Sequence, residues 1–418
     1  MKRLLTTAVA AFTMLTLASC SDSTSTPVEP SPSETAVETP TPEPEPTPEI
    51  VPTQITILGG GDVLTHEPIN NAARQADGSY DFTQFYTHMG PWIENADIAL
   101  CTLEVPIMRP GDATAGYPMF AGAYELAQDL ADVGYDGCSL AGNHAMDRGM
   151  YGVTSTIEAL TEAGMGWAGT ARTQEEADET QFYVLESGGR EVYIAHLSYT
   201  TLTNGIPIPP EAPYSWDVVG DLGAPIDTII TDAQVAREAG ADLVVVSMQW
   251  GTEYVSEPIA EQYAIAEQLA ESGEIDLIFG THPHVPQGIV ELEGGPRGEG
   301  MWVAWSMGNQ LSNQSYGTLG DWRVGTGLVT IARVDVPVEG PATVASLDWM
   351  GVTVDEKAGY QLYPLWWFEG GYIPEGSGIS TYDAEQRMTA LYPVMAESGE
   401  QLTEELVPVA DSLTVMRK

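Results

Sequence analysis

Five times along this chain a short apolar run of strand character stops at a polar residue able to bind a metal or carry a proton. Gln54–Leu58 runs into Gly59-Gly60-Gly61-Asp62, and Asp97–Leu103 into Glu104. Gly134–Ala141 runs into Gly142-Asn143-His144, Asp242–Met248 into Gln249, and Ile275–Gly280 into Thr281-His282-Pro283-His284. Between these runs, apolar residues recur at helical spacing, as in Val153, Ile157 and Leu160. Strands alternating with helices build a layered α/β domain, in which ligands collect beyond the carboxyl ends of the strands. A single polar tip is readily explained as a turn that caps the next helix. Two of the chain's six histidines, one residue apart just past a strand end, resist that explanation. Pro283 restricts the backbone between them, and paired imidazoles suit one or two metal ions.

The rest of the folded part follows the same alternation. Helices are expected over Glu125–Val133, 151–164, Ile226–Ala239 and 259–272, with a helical region before Ile93. Gln181–Glu186 and Glu191–Leu197 read as a hairpin around Ser187-Gly188-Gly189-Arg190. Leu202–Val219 is a Pro-rich loop suited to a rim or lid. Val285–Glu293, Met301–Ser306 and Val324–Val336 read as later strands, with Gly308-Asn309-Gln310 as a polar loop. Past Val336 the pattern is irregular with some strand, through Trp349, Trp366 and Trp367, and closes on a helix near 383–396. The expected organisation is a main domain over 53–335 and an extension, 336–418, packed on it.

The strand tips supply the parts of a metal site. Asp62, Glu104, Asn143, Gln249, His282 and His284 together could hold two ions about 4 Å apart with one carboxylate bridging them. Mixed carboxylate and imidazole donors suit divalent Mn, Fe or Zn better than an all-oxygen Mg or Ca cage. His144, with Asp147 three residues on, is the candidate catalytic pair; Asp147 either orients the imidazole or caps the following helix. Trp250, Glu253, Tyr254 and Asn309 are expected at the pocket, whereas His88 and His196 read as structural.

The amino terminus opens Met1-Lys2-Arg3, continues in an apolar run from Leu4 to Ala18, and reaches Leu17-Ala18-Ser19-Cys20. That is a basic start, a short apolar core and a small-residue cleavage site, too short to span a bilayer. Leu-Ala-Ser-Cys resembles a bacterial lipobox, which implies cleavage before Cys20 and lipidation of its thiol. Residues 21–52 hold nine Pro and seven acids with no Lys or Arg, a composition that stays extended and unfolded. Such a tether could reach on the order of 100 Å. It would hold the folded part at the extracytoplasmic face of the cell membrane. The remaining cysteines, Cys101 and Cys138, fall inside apolar runs and are expected as two buried thiols. Sixty acids against 15 bases give a formal charge of −45, which excludes nucleic acid as a partner because no phosphate-neutralising patch is present.

Six motifs recur in one order: Gly61-Asp62, Thr102-Leu103-Glu104, Ser139 through Gly149, Gln249-Trp250-Gly251-Thr252-Glu253-Tyr254, Gly280 through Gln287, and Ser306-Met307-Gly308-Asn309. The order closely resembles the CapA-type poly-γ-glutamate capsule synthesis proteins. These are similar to the calcineurin-like metallophosphoesterases, whose α/β fold is a layered sheet sandwich flanked by helices. The resemblance covers roughly residues 54 to 310. It implies that Asp62 is the first aspartate, Glu104 the bridging carboxylate and Asn143 the second-metal amide. It further implies that His144 is the proton-transferring histidine, with His282 and His284 as the closing pair. Two positions depart from the pattern. Leu64 stands where the phosphoesterases carry His, with His66 nearby, and Gln249 stands where the capsule proteins often carry His.

The function so implied is that of a membrane-anchored extracytoplasmic protein in capsule or poly-γ-glutamate biosynthesis or export, acting as a metal-dependent hydrolase or transferase. Two alternatives stay open: a non-catalytic, polymer-binding subunit of a synthesis and export complex, or a general secreted metallophosphoesterase. An anionic polymer and the membrane proteins that make or export it are the implied partners. Leu64 and Gln249 favour the subunit over the phosphoesterase.

The anchor is directly testable. Cys20→Ala should leave the protein unlipidated and shift it from the membrane to the soluble fraction, or stall its maturation. A variant that still sediments with membranes as the parent does would remove the lipobox reading.

Overall fold

The computed structural model describes residues 50–418; Cys20 and the tether up to residue 49 lie outside the described residues. The strands in chain order are β1 (Thr53–Val63), β2 (Ile98–Leu103), β3 (Gly137–Ser139), β4 (Gly166–Ala168), β5 (Gln181–Ser187), β6 (Arg190–Thr200), β7 (Leu243–Gln249) and β8 (Leu277–Thr281). They continue with β9 (Ile289–Leu292), β10 (Met301–Ala304), β11 (Asn309–Leu311), β12 (Thr326–Val336), β13 (Thr343–Asp355), β14 (Gln361–Pro364) and β15 (Ser412–Arg417). One sheet runs β14-β13-β12-β1-β2-β3-β4, with β11 added beside the tip of β1. The other runs β15-β5-β6-β7-β8-β10-β9.

The two sheets face one another across an apolar layer. Ile55, Ile57 and Leu100 from the first sheet meet Leu243, Val245 and Phe279 from the second. Strand alternation then sends the intervening residues outward. Val244 and Val246 pack against Ile229, Ala233 and Leu269 of the helices Asp227–Glu238 and Ala260–Ser272. On the far side of the first sheet, Leu58, Cys101 and Leu103 pack with Leu126, Leu130, Val153 and Ile157 of the helices Glu125–Val133 and Gly149–Glu162. The result is helices, sheet, sheet, helices, the layered α/β sandwich expected from the sequence. Buried strands covered on both faces read as continuous apolar runs, which is why their tips stand out so clearly.

Three local expectations need correction. Cys101 and Cys138 are register partners on β2 and β3, with Cα atoms 4.5 Å apart, and are joined as a disulfide rather than left as two thiols. Each looked like a packing position, and nothing in the sequence placed the two in register. Gly308-Asn309-Gln310, expected as a loop, supplies β11, which pairs parallel to β1 with Asn309 opposite Asp62. The predicted strand over Val285–Glu293 contracts to β9, because Pro286 has no N–H to offer and Gln287 N–H donates to Ser306 O (2.9 Å) instead. The stretch past Val336 gives β13 and β14 to the first sheet and β15 to the second, against β5. Among the described residues no helix is long and apolar enough to cross a membrane.

The close approach of β1 to the chain entering β11 depends on one missing side chain. Asp62 N–H donates to Gly308 O (2.8 Å), and a Cβ on Gly61 would be driven into that same carbonyl. Gly61→Ala should therefore cost about 1–3 kcal/mol of stability by overpacking a site that cannot give. The check is the urea midpoint at unchanged slope; an unaltered midpoint would show that β11 can move away freely.

Candidate metal centre

The parallel strands of both sheets end on one side, and the polar tips meet there. Asp62 is fully buried at the end of β1, and Glu104 is buried just past β2, its N–H donating to Val63 O (3.2 Å). No oxygen of either carboxylate has an aligned hydrogen-bond donor among the described residues. Four such oxygens sealed from water are costly unless a cation answers them. Across from them lie His282 and His284, and Glu104, His282 and His284 each offer a ligand atom within 4.8 Å of the others.

The ring of His284 is held by its neighbours. Asn309 Nδ2 donates to His284 O (3.3 Å), Gln314 Oε1 (2.9 Å) and Val324 O (3.0 Å), which fixes Asn309 Oδ1 as the acceptor for His284 Nδ1–H (3.0 Å). In the neutral ring the free lone pair is then on Nε2, 3.8 Å from Glu104 Oε1. Nδ1 also lies 3.2 Å from Asp62 Oδ2, a charge contact, since its hydrogen is directed at Asn309. Burial alone would depress the His284 imidazolium. The charge of Glu104, the contact with Asp62 and that carboxylate's charge outweigh burial and hold it at about 9. Burial drives Glu104 up to about 7 against the opposing pull of His284. His282 faces no such compensation, and burial takes it down to about 3, so its unpartnered Nδ1 is a neutral donor.

Both histidines pay in backbone strain. His282 has φ 94° and His284 φ 57°, in the left-handed region that side chains with a Cβ avoid. Each such residue costs of order 1–3 kcal/mol and persists where its surroundings over-determine it. Here Tyr254 N–H clamps the intervening Pro283 O (2.7 Å), and Ser306 Oγ holds Val285 O (2.8 Å). The donor set Glu104, His282 and His284 fits one divalent transition ion, with the Asp62 carboxylate beside it on the Nδ1 side of His284.

The amides that would serve a second ion are already engaged with each other. Gln249 Oε1 accepts from Asn143 N–H (2.6 Å) and Thr200 Oγ1 (3.1 Å), and Gln249 Nε2 donates to Asn143 Oδ1 (3.2 Å). Asn143 Nδ2 in turn donates to Asn204 Oδ1 (3.2 Å). Leu64 lies in the apolar core. His66 Nδ1–H donates to Leu64 O (3.1 Å), its ring packs edge-on to Phe120, and burial first of all lowers it to about 4.

His144 and Asp147 form a buried pair, with Nδ1–H on Asp147 Oδ2 at 2.8 Å. The same oxygen accepts Phe120 N–H (2.6 Å), and the Phe120 ring stands edge-on to the imidazole at 4.6 Å. Asn204 Nδ2 lies 3.3 Å from His144 Nε2. Asn204 and Phe120 were not anticipated. The Asn204-Gly205 step does announce a left-handed turn, which Asn204 adopts at φ 51°, but nothing in the sequence tells where that turn lands. Tyr254 sits half-buried with its ring 6.0 Å from His284, and exposed Glu253 adds to the charge felt by Glu104 and His284. Trp250, expected to line the pocket, is instead core: it is fully buried against the outer helices and donates Nε1–H to Trp305 O (2.9 Å). The flanking Gly251 at φ 86° turns the chain, so that only Glu253 and Tyr254 reach the site. His196, buried with Nε2 on Ser247 Oγ (2.9 Å), and His88, stacked on Tyr363, take packing positions away from the centre.

Residues 56–314 match the family described as bacterial capsule synthesis protein PGA_cap. The chain belongs to that family. Within the PGA_cap match lie Asp62, Glu104, Asn143, His144, Gln249, His282, His284 and Asn309. The chain is 24% identical over 306 residues to the capsule biosynthesis protein CapA of Bacillus anthracis, covering 70% of each. It is 27% identical over 229 residues to the PGA biosynthesis protein CapA of Bacillus subtilis, covering 53% of this chain and 56% of the relative. Among solved structures, the calcineurin-like phosphoesterase YfkN of Bacillus subtilis overlaps 81% of this chain and 96% of its own, at 12% identity and a TM-score of 0.39. That is a likeness of outline, and the account of this PGA_cap fold rests on its own strand order.

The electrostatics make metal binding a proton-releasing event. At pH 7 the His284 ring, held up to about 9, carries a proton that a metal must displace. Zinc or manganese binding to the metal-free protein should release roughly one proton or slightly more, and affinity should rise about tenfold per pH unit until pH passes the His284 value. Calorimetry in buffers of different ionisation enthalpy reads this directly. A binding heat that does not vary with the buffer would show that His284 does not ligate.

Proposed function

We propose that this protein acts in the synthesis or export of a capsular poly-γ-glutamate chain. It does so from the outer face of the membrane, where a lipidated Cys20 anchors it beside the membrane proteins that make or export the polymer. Within that setting the site is read as a hydrolase or transferase centre built around one firmly held divalent ion. The observation that carries this reading is the pair of buried carboxylates, Asp62 and Glu104, whose oxygens have no aligned donors while two strained histidines face them. A divalent ion held there would polarise a carbonyl or phosphoryl oxygen.

The chain's own groups supply the rest. Asp147 keeps the His144 proton on Nδ1, which leaves Nε2 to take a proton from a nucleophile or to give one to a leaving group. Phe120 holds the ring in that orientation, and Asn204 Nδ2 caps Nε2 (3.3 Å) until a reacting group takes its place. Glu253 and Tyr254 form the mouth. The subunit reading is kept by one observation: Asn143 and Gln249 spend their amides on each other, where an active two-metal centre would present them to an ion.

His144→Ala separates the two readings. For an enzyme, turnover of γ-glutamyl oligomers or phosphoesters should fall about 10²–10⁴-fold with metal affinity unchanged. A parent protein that binds metal and polymer yet turns over neither substrate class would establish the non-catalytic subunit.

A further inference from the structure

Beyond residue 314, where the family match ends, a second cleft of about 220 Å³ opens between the turn after β11, the turn after β13 and the helix Thr381–Leu391. Arg387 lines it and is only 7% exposed. All of its hydrogen bonds come from Nη1, which reaches Thr353 Oγ1, Val354 O (2.8 Å) and Gly325 O (3.4 Å). Nε is sealed from water without an acceptor, and Nη2 has none among the described residues. Asp355, Glu356 and Asp383 act on Arg387 only through space, with no hydrogen bond to it. A buried donor left without an acceptor is costly, and the unbonded Nε–Nη2 edge has the shape that pairs with a carboxylate bidentately.

The acids around it are committed elsewhere. Asp355 accepts from Lys357 N, Ala358 N, Ser377 Oγ and Gly378 N, and Asp383 takes Lys357 Nζ (3.0 Å). Glu356, on the same cleft, has Oε1 sealed with no donor. One unanswered donor edge and one unanswered acceptor therefore share a cavity, walled by the stacked rings of Tyr316 and Trp322 (4.2 Å between centroids). A phosphate would satisfy the guanidinium and be repelled by Glu356. A carboxylate with an N–H on the neighbouring atom answers both.

We propose that this cleft is a binding subsite for a carboxylate flanked by an N–H donor, the unit that repeats along a γ-linked glutamyl chain. The assignment rests on the polymer reading above. The cleft also borders the metal centre through one loop. Val324 O accepts from Asn309, which holds His284, while the adjacent Gly325 O accepts from Arg387. A chain seated on Arg387 lies along the segment that orients the centre's own histidine.

The test is calorimetry with the dipeptide γ-glutamyl-glutamate, in chelator so that no metal takes part. The parent protein should bind it saturably. Glutarate, which has the carboxylates and no N–H, should bind at least tenfold more weakly, as should the dipeptide with its carboxylates capped as carboxamides. Arg387→Lys, which keeps the charge and loses the fork, and Glu356→Ala should each weaken binding about tenfold, and Asp62→Asn should leave it unchanged. Because Arg387 also ties down Val354 and Gly325, Glu356→Ala and the capped ligand keep the outcome readable if Arg387→Lys unfolds. No binding to the parent, or equal binding by Glu356→Ala and to glutarate, overturns the subsite. Loss of binding in Asp62→Asn alone would move the dipeptide to the metal centre and overturn the subsite while the polymer reading stands. Binding of N-acetylglycine with none of the dipeptide would overturn the γ-glutamyl assignment instead.

Discussion

Two carboxylates buried without donors set the terms for the rest of this molecule. Asp62 and Glu104 sit at the ends of adjacent parallel strands, so any fold that pairs β1 with β2 brings their charges together out of water. Left alone, that arrangement would be among the most unfavourable in the structure. Much else at this edge answers it. β11 lies down beside β1 and brings Asn309, Asn309 turns the His284 ring, and the strained Thr-His-Pro-His segment carries His284 between the two carboxylates. Without a cation, a protonated His284 is the main compensation available. With one, the same imidazole changes from counter-charge to ligand.

This double use explains why neighbouring histidines of one motif behave oppositely. His282 and His284 are separated by one residue and equally buried, yet one is driven far down and the other well up. The difference is their acidic company, because burial acts on both in the same direction. A site that stores a proton on one ligand and none on the other is poised to exchange one proton for one metal.

The parts of the site that follow strand periodicity were legible from residues alone. Asp62, Glu104, His282 and His284 each end an apolar run, and a two-sided buried sheet makes such endings conspicuous. Trp250 was misplaced because it follows Gln249 directly, and a residue at a strand tip faces the site or the core according to a turn that the sequence shows only as Gly251. Asn204 and Phe120 come from loops distant in the chain, so only the folded backbone brings them to His144. The Cys101–Cys138 pair depends on strand register, which apolar pattern does not determine when both faces are buried. The chain past Val336, expected as an extension with some strand, adds its long strand β13 and the edge strand β14 to the first sheet beside β12. The polar and apolar residues of β13 alternate weakly, since the strand passes from an exposed start to a fully buried end.

Charge is the remaining constraint, and it bears on the reading proposed above, in which this acidic protein holds an acidic polymer. With 60 acids against 15 bases, the long-range field opposes the approach of a polyanion. Salt at physiological strength screens that field beyond about 8 Å, so contact must be gained at short range. Two places could supply it: a carboxylate-lined centre that a divalent ion would neutralise, and the unbonded guanidinium edge of Arg387. On the polymer reading proposed above, two such sites joined by one loop would hold a chain better than either alone, because the second contact forms at the high local concentration set by the first. Specificity on that reading would come from two short-range sites on an otherwise repellent surface.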